Sequence, residues 1–246
     1  MPHMIANRPR MHNLAKERTD LRAQFQWETI NAVLYKIGGV VFIIGSVFFF
    51  PAFAAYANTG AWIFFGGSFL YLIVTFHDLL EVRRYWRRNR RHDRRHMLDY
   101  VAAAGYVAGT ILFTVGSVFF MSAVGLYRAG AGCFVVGSLL FIVGASINIL
   151  QIVKARSLVT LQLMNLTAVA FVVGSVLFAV ASVPYLWQVE NPSLRFTLYT
   201  FLAWQYLIGS VLFFAGGVFN YWRAWVVIRA ERNLRGGNDA GSSNKI

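Results

Sequence analysis

Phe42-Ile43-Ile44-Gly45-Ser46-Val47-Phe48-Phe49 places an aromatic residue three before a Gly-Ser pair and another four after the glycine. The pattern returns as Phe64-x-x-Gly67-Ser68-x-x-Tyr71, Phe113-x-x-Gly116-Ser117-x-x-Phe120, Phe134-x-x-Gly137-Ser138-x-x-Phe141, Phe171-x-x-Gly174-Ser175-x-x-Phe178 and Tyr206-x-x-Gly209-Ser210-x-x-Phe213. Each copy sits near the middle of an apolar run, and the runs fall near residues 36–56, 60–80, 102–122, 130–150, 162–184 and 199–220. A helix of about 20 apolar residues crosses roughly 30 Å of hydrocarbon. The runs lack the alternation of a membrane β-barrel. They predict an all-α integral membrane protein of six transmembrane helices, built as three copies of one helical hairpin.

Composition agrees. Hydrophobic residues make up 57% of the chain and charged residues 13%, where a soluble domain carries about a quarter charged. The single cysteine, Cys133, lies inside the fourth run and is expected to pack as an ordinary small residue. Ala55-Tyr56-Ala57 resembles a signal-peptidase site, but more than thirty polar-rich residues precede the first run, so that run reads as a retained helix.

Basic residues set the orientation, because short loops rich in Lys and Arg stay cytoplasmic. Twenty-one of the 23 lie between Arg8 and Lys36, between Arg83 and Arg95, at Lys154 and Arg156, or between Arg223 and Lys245; Arg128 and Arg195 are the exceptions. The net charge of +13 is therefore a topology signal, and both termini are expected to face the cytoplasm across an inner membrane. The expected organisation is an N-terminal segment over 1–30, a hairpin over 31–82, an Arg-rich linker over 83–98, a second hairpin over 99–153, a linker over 154–159, a third hairpin over 160–228 and an unstructured tail over 229–246.

The residue types of the repeated pattern follow from helix geometry. At 100° per residue, the aromatic, the glycine and the second aromatic fall within about 60° of one another and form one stripe. Steps of seven find more small residues on it: Gly38, Gly60, Gly109 and Gly130 before the motif glycine, and Ala52, Ala123, Ala181, Gly144 and Gly216 after it. Thr167, Leu202 and Val74 break the series. Lipid tails are as apolar as leucine, so helices in a bilayer associate by close packing, which small residues permit. Gly45, Gly67, Gly116, Gly137, Gly174 and Gly209 are thus the expected helix-packing seam, each beside a neighbour's aromatic ring. The adjacent serines can bond back to the carbonyl four residues earlier.

Eleven residues after each motif glycine stand polar side chains. Tyr56, Tyr127 and Tyr185 are expected on the seam side at the outer interface, and Asp78, Asn148 and Asn220 near the cytoplasmic one, with Glu81, Gln151 and Arg223 three residues further. Two readings suit these layers: interfacial anchors and helix caps, or the two mouths of a central path.

Two such helices with a Phe-x-x-Gly-Ser-x-x-Phe core resemble the YrhK-like domain family of small membrane proteins. The chain looks like three of these domains fused across most of residues 30–228, with the best fit from Gly38 to Tyr71 and His77-Asp78. The third hairpin departs more, through its longer loop Leu186–Leu194. The resemblance implies a membrane location and a two-helix unit, and it supplies no catalytic residue.

Other polar features are expected to be modest. Arg83, Arg84, Arg87, Arg88, Arg90, Arg91, Arg94 and Arg95, beside Tyr85 and Trp86, suit anionic lipid headgroups, worth about 1 kcal/mol per basic residue, and equally a plain topology signal. Nucleic acid is not expected to bind a tether between membrane helices. His92 and His96 have metal-ligand spacing, but the surrounding arginines would repel a cation, so no metal site is expected. His77 lies off the seam and makes a weak relay partner for Asp78. Lys36 is expected to snorkel, and Leu14 to Trp27 to form a helix on the membrane surface. There is no nucleophile elbow, phosphate loop or dinucleotide fingerprint, and neither a cofactor nor an enzymatic activity is expected. The sequence favours a module that organises lipids or membrane partners; a small pore or transporter along the seam is the alternative.

Overall fold

The computed structural model describes residues 21–88, 94–150, 157–187 and 191–242. Six long helices follow one another: α1 (Leu21–Val47), α2 (Ala57–Arg88), α3 (Arg94–Phe119), α4 (Tyr127–Leu150), α5 (Leu158–Ser182) and α6 (Pro192–Ser242). Each contains a stretch long and apolar enough to cross a membrane: Thr29–Val47, Pro51–Arg83 (which takes in the turn ahead of α2), Met97–Phe119, Tyr127–Leu150, Leu158–Leu186 (which runs past the end of α5) and Pro192–Val227.

Local chemistry sets the helix ends. Pro51 has no backbone N–H and biases the preceding residue toward extended backbone; Phe50 is extended at φ −64°, ψ 136°, and Pro51–Tyr56 forms a tight 3-10 turn instead of continuing α1. Pro184 opens a similar turn over Val183–Leu186. Gly125, at φ +63°, turns the chain between α3 and α4. Ser157 caps α5 by accepting from the Thr160 amide at 3.2 Å. Asn191 caps α6 by accepting from the Ser193 amide at 3.0 Å and the Leu194 amide at 3.3 Å, with Pro192 at the first helical position.

The helices form a closed ring. Each packs on its neighbours in sequence, and α1 packs on α6. Pairings run antiparallel: Gly38 lies against Tyr71 and Gly45 against Phe64 between α1 and α2, while Ser46 meets Ser210 between α1 and α6. The described ends of α1 and α6 therefore lie at one end of the ring, called here the terminal end. Outward faces carry Ile44, Phe69, Ile111, Leu139, Val173 and Ile208, all exposed, which is the surface a bilayer would cover.

Several sequence expectations differ from this fold. The first apolar run does not stay helical to residue 56, because Pro51 ends it. The expected surface helix over Leu14 to Trp27 lies partly outside the described residues, and from Leu21 onward the chain is already α1. Helix α2 continues to Arg88 and α3 starts at Arg94, so helix enters the Arg-rich linker from both sides. The expected unstructured tail is helical to Ser242. Extending an existing helix avoids the cost of nucleation, and Arg, Glu, Ala and Leu between Arg229 and Arg235 are good helix formers.

Candidate functional site

The site is the axis of the ring. Every motif glycine is buried, and a side chain added there would meet a neighbouring helix. A Cβ at Gly45 would lie 2.6 Å from Phe64, at Gly116 2.8 Å from Phe134, and at Gly209 2.8 Å from Phe178. In the other direction, Gly67 faces Phe42 at 3.4 Å, Gly137 faces Phe113 at 2.7 Å and Gly174 faces Phe213 at 3.2 Å. The approaches below 3.0 Å are ones that only a missing side chain allows, and all of them make dispersion contact between backbone and ring the adhesive of each pair.

The aromatics stack into two layers. Away from the terminal end, Phe49, Phe64, Phe120, Phe134, Phe178 and Tyr206 join across the ring: Phe49 lies 5.1 Å from Tyr206 and 6.1 Å from Phe120, and Phe64 lies 6.2 Å from both Phe134 and Phe178. Nearer the terminal end, the rings pair within neighbouring helices, Phe42 with Tyr71 at 5.0 Å, Phe113 with Phe141 at 5.2 Å and Phe171 with Phe213 at 5.9 Å. These pairs leave a small void on the axis, bounded by all six rings, with room for about one water molecule.

The stripe extends by sevens only while the chain stays helical. Gly38, Gly60, Gly109, Gly130, Gly144 and Gly216 each face an aromatic ring, and Ala181, Thr167, Leu202 and Val74 are fully buried. Ala52 and Ala123 are exposed, because α1 and α3 have already ended and the helical phase is lost.

The same loss breaks the tyrosine layer. Tyr56 is 59% exposed and Tyr127 51%, each lying beyond the end of the helix whose register was meant to place it. Tyr185 is half-buried and stacks on Tyr199 at 4.8 Å. The three do not form one mouth. Asp78, Asn148 and Asn220 lie on unbroken helices and are each 1% exposed. They are buried at the terminal end of the axis, deeper than capping groups at a wet interface would be. Asn148 donates from Nδ2 to the Tyr106 hydroxyl at 3.2 Å, and Asn220 accepts from Arg223 at 3.3 Å. Glu81, Asp99 and Arg223 are buried beside this level of their helices; Gln151 lies outside the described residues.

Among the basic residues, Arg83, Arg87 and Arg94 are exposed, and Trp86 packs against Tyr100 at 5.6 Å. Arg90 and Arg91 lie outside the described residues, as does His92, and the side chains of Arg84, Arg88, Arg95 and His96 do too. Among the described residues no group of three His, Cys, Asp or Glu side chains could hold a metal. Lys36 does more than snorkel, since its Nζ sits 4.4 Å over the Tyr221 ring of α6. His77 is half-buried, with Nδ1 3.5 Å from Asn31. Cys133 is half-buried, its Cβ 3.0 Å from where a Cβ on Gly116 would stand.

One set of residues was missed by the seven-residue stripe. Gly39 lies against the Phe214 backbone and Gly217 against the Tyr35 ring, and these contacts let α1 close on α6. The signal was present in the doubled glycines Gly38-Gly39 and Gly216-Gly217: one of each pair faces its hairpin partner and the other the next helix. Val74 explains the Tyr35 contact. Tyr106 packs into Gly144, but Val74 occupies the matching place on α2, so Tyr35 turns to α6 and stacks on Tyr71 at 4.5 Å.

Six long apolar helices with an apolar exterior and a small-residue interior define a multi-pass helical membrane protein. The sequence matches the YrhK-like protein family twice, over residues 26–82 and 96–153, and the chain belongs to the YrhK-like family. These matches take in α1 with α2 and α3 with α4, a narrower extent than the three-domain resemblance over 30–228. No curated protein and no solved structure matches the chain.

Proposed function

We propose that this protein is a non-enzymatic membrane module whose product is its own assembly, a six-helix ring that organises lipids or membrane partners. The observation that carries this reading is the closed axis. The aromatic layer away from the terminal end joins ring to ring across the centre, and the space beneath it has room for no more than about one water. An aqueous path would need a continuous polar lining, and here the polar groups Ser68, Tyr71, Thr110 and Ser175 are confined to one small void beneath an aromatic layer.

In this reading α1–α2, α3–α4 and α5–α6 are copies of one hairpin about a pseudo-threefold axis. The doubled family match supports the first two, and the glycine-to-aromatic contacts between Gly174 and Phe213 and between Gly209 and Phe178 extend the pattern to the third. The basic residues favour a cytoplasmic terminal end. There the exposed Arg83, Arg87 and Arg94, with the Trp86 and Tyr100 pair, meet anionic headgroups of an inner membrane.

Purified protein in liposomes is expected to leave ion and small-solute permeability at the level of empty vesicles. Protein-dependent flux, abolished by Asp78→Ala, would replace this reading with the pore or transporter that the buried Asp78, Asn148 and Asn220 layer would serve.

A further inference from the structure

The polar groups around the axis fall into two sets. Away from the terminal end they satisfy one another: the Tyr206 and Ser182 hydroxyls lie 2.7 Å apart, Ser182 donates to the Phe178 carbonyl at 2.7 Å, and Ser46 and Ser210 lie 2.9 Å apart. Toward the terminal end some do, as Thr75 with Thr110 at 3.0 Å and Asn148 with Tyr106 at 3.2 Å, and some do not. Ser68 Oγ and Asn148 Oδ1 are buried without a hydrogen-bond partner, and the Tyr35 and Tyr71 hydroxyls have only each other.

Ser68 is the informative member. Ser46, Ser117, Ser175 and Ser210 each donate to the carbonyl four residues earlier, whereas Ser68 and Ser138 leave that bond unmade, and of the two Ser68 lines the axial void together with Tyr71. The two are three residues apart on α2, so they stand on one face of the helix, one above the other. Ser175 and Thr110 line the same void. Ser175 donates to the Phe171 carbonyl at 2.7 Å, and Thr110 lies 3.0 Å from both the Tyr106 carbonyl and the Thr75 hydroxyl, so each keeps a lone pair to accept.

A stranded buried hydroxyl is destabilising because its lost hydration is not replaced, and a water needs a polar site of its own size with about two to four partners. Both requirements meet here. We infer that the void is an internal hydration site, holding one ordered water that accepts from Ser68 and Tyr71 and donates toward Ser175 and Thr110. A metal cation does not suit it, since hard cations take six or more oxygens and the remaining wall is aromatic, from Tyr106, Phe42, Phe113, Phe141, Phe171 and Phe213.

The sign of a conservative substitution separates a wet site from a dry one. With the water present, Tyr71→Phe and Ser68→Ala each remove a partner of the same molecule, so each lowers the melting temperature, and the double variant lowers it by less than the sum. In a dry void Ser68→Ala deletes a stranded hydroxyl, so its melting temperature stays the same or rises and its effect adds to that of Tyr71→Phe; that result would overturn the assignment. A structure in lipid at a resolution that displays waters is expected to place density on the axis about 3 Å from both oxygens. An empty void, with Ser68 turned onto the Phe64 carbonyl, would equally reject it.

Discussion

Gly137→Leu is expected to abolish the folded bundle, leaving no cooperative thermal transition and a broadened, aggregated profile in size-exclusion chromatography of detergent-solubilised protein. Even a methyl group is too large at this position: a Cβ on Gly137 would lie 2.7 Å from the Phe113 ring and 3.0 Å from the Gly109 carbonyl. A ring can turn aside, but a carbonyl belongs to the backbone and moves only with its helix. Gly137→Ala should therefore already lower stability by about 2 kcal/mol, within the range of overpacked cores. Gly132 supplies the control on the same helix, because a Cβ there meets nothing within 4 Å. Gly132→Ala is expected to leave the melting temperature unchanged or slightly raised, since alanine is the better helix former. Equal losses at both positions would mean that α4 resents any added methyl, and that the seam is not the reason.

Phe178→Ala is the second large effect. The ring is fully buried and lies within 6.3 Å of the Phe42, Phe64, Phe113, Tyr206 and Phe213 rings, so it touches members of both aromatic layers. In lipid the solvent-transfer part of its contribution falls away, because the unfolded alternative is also apolar. What remains is the cavity. At roughly 24 cal/mol per Å³ over ~100 Å³ of lost ring, the cost is about 2–3 kcal/mol. Phe69→Ala removes an outward ring of the same size that lies exposed on α2, and it should change stability by under about 0.5 kcal/mol. Thermal unfolding of the two variants side by side distinguishes an axis held by aromatics from one that merely contains them.

The core of this fold was legible because one physical requirement writes itself into the sequence repeatedly. Helices that must touch in a solvent as apolar as themselves need glycine at the contact and a ring to fill the space beside it, and the six motifs mark those contacts directly. Legibility failed where its premise failed. Counting by sevens or elevens assumes continuous helix, so it placed Asp78, Asn148 and Asn220 on the axis but misplaced Tyr56, Tyr127, Ala52 and Ala123, which lie past Val47 and Phe119. Pro51 and Gly125 were the warnings. The depth of the Asp78 layer was also hidden, since the register fixes the direction of a side chain but not what the neighbouring helices cover. Closure of the ring depends on Gly39, Gly217 and the Ser46–Ser210 contact, which join residues far apart in the chain that no local pattern connects.

Ring closure is the claim on which the filled axis, the hydration site and the module reading all depend, and Ser46 with Ser210 tests it directly. Their hydroxyl oxygens lie 2.9 Å apart on α1 and α6, close enough for paired cysteines to reach disulfide geometry. In native membranes, with Cys133 replaced by alanine, Ser46→Cys with Ser210→Cys should form an intramolecular disulfide on oxidation, whereas Ile44→Cys with Ser210→Cys should not, since Ile44 faces outward. Absence of the first cross-link, or its appearance only between two chains, would contradict a ring that closes through α1 and α6.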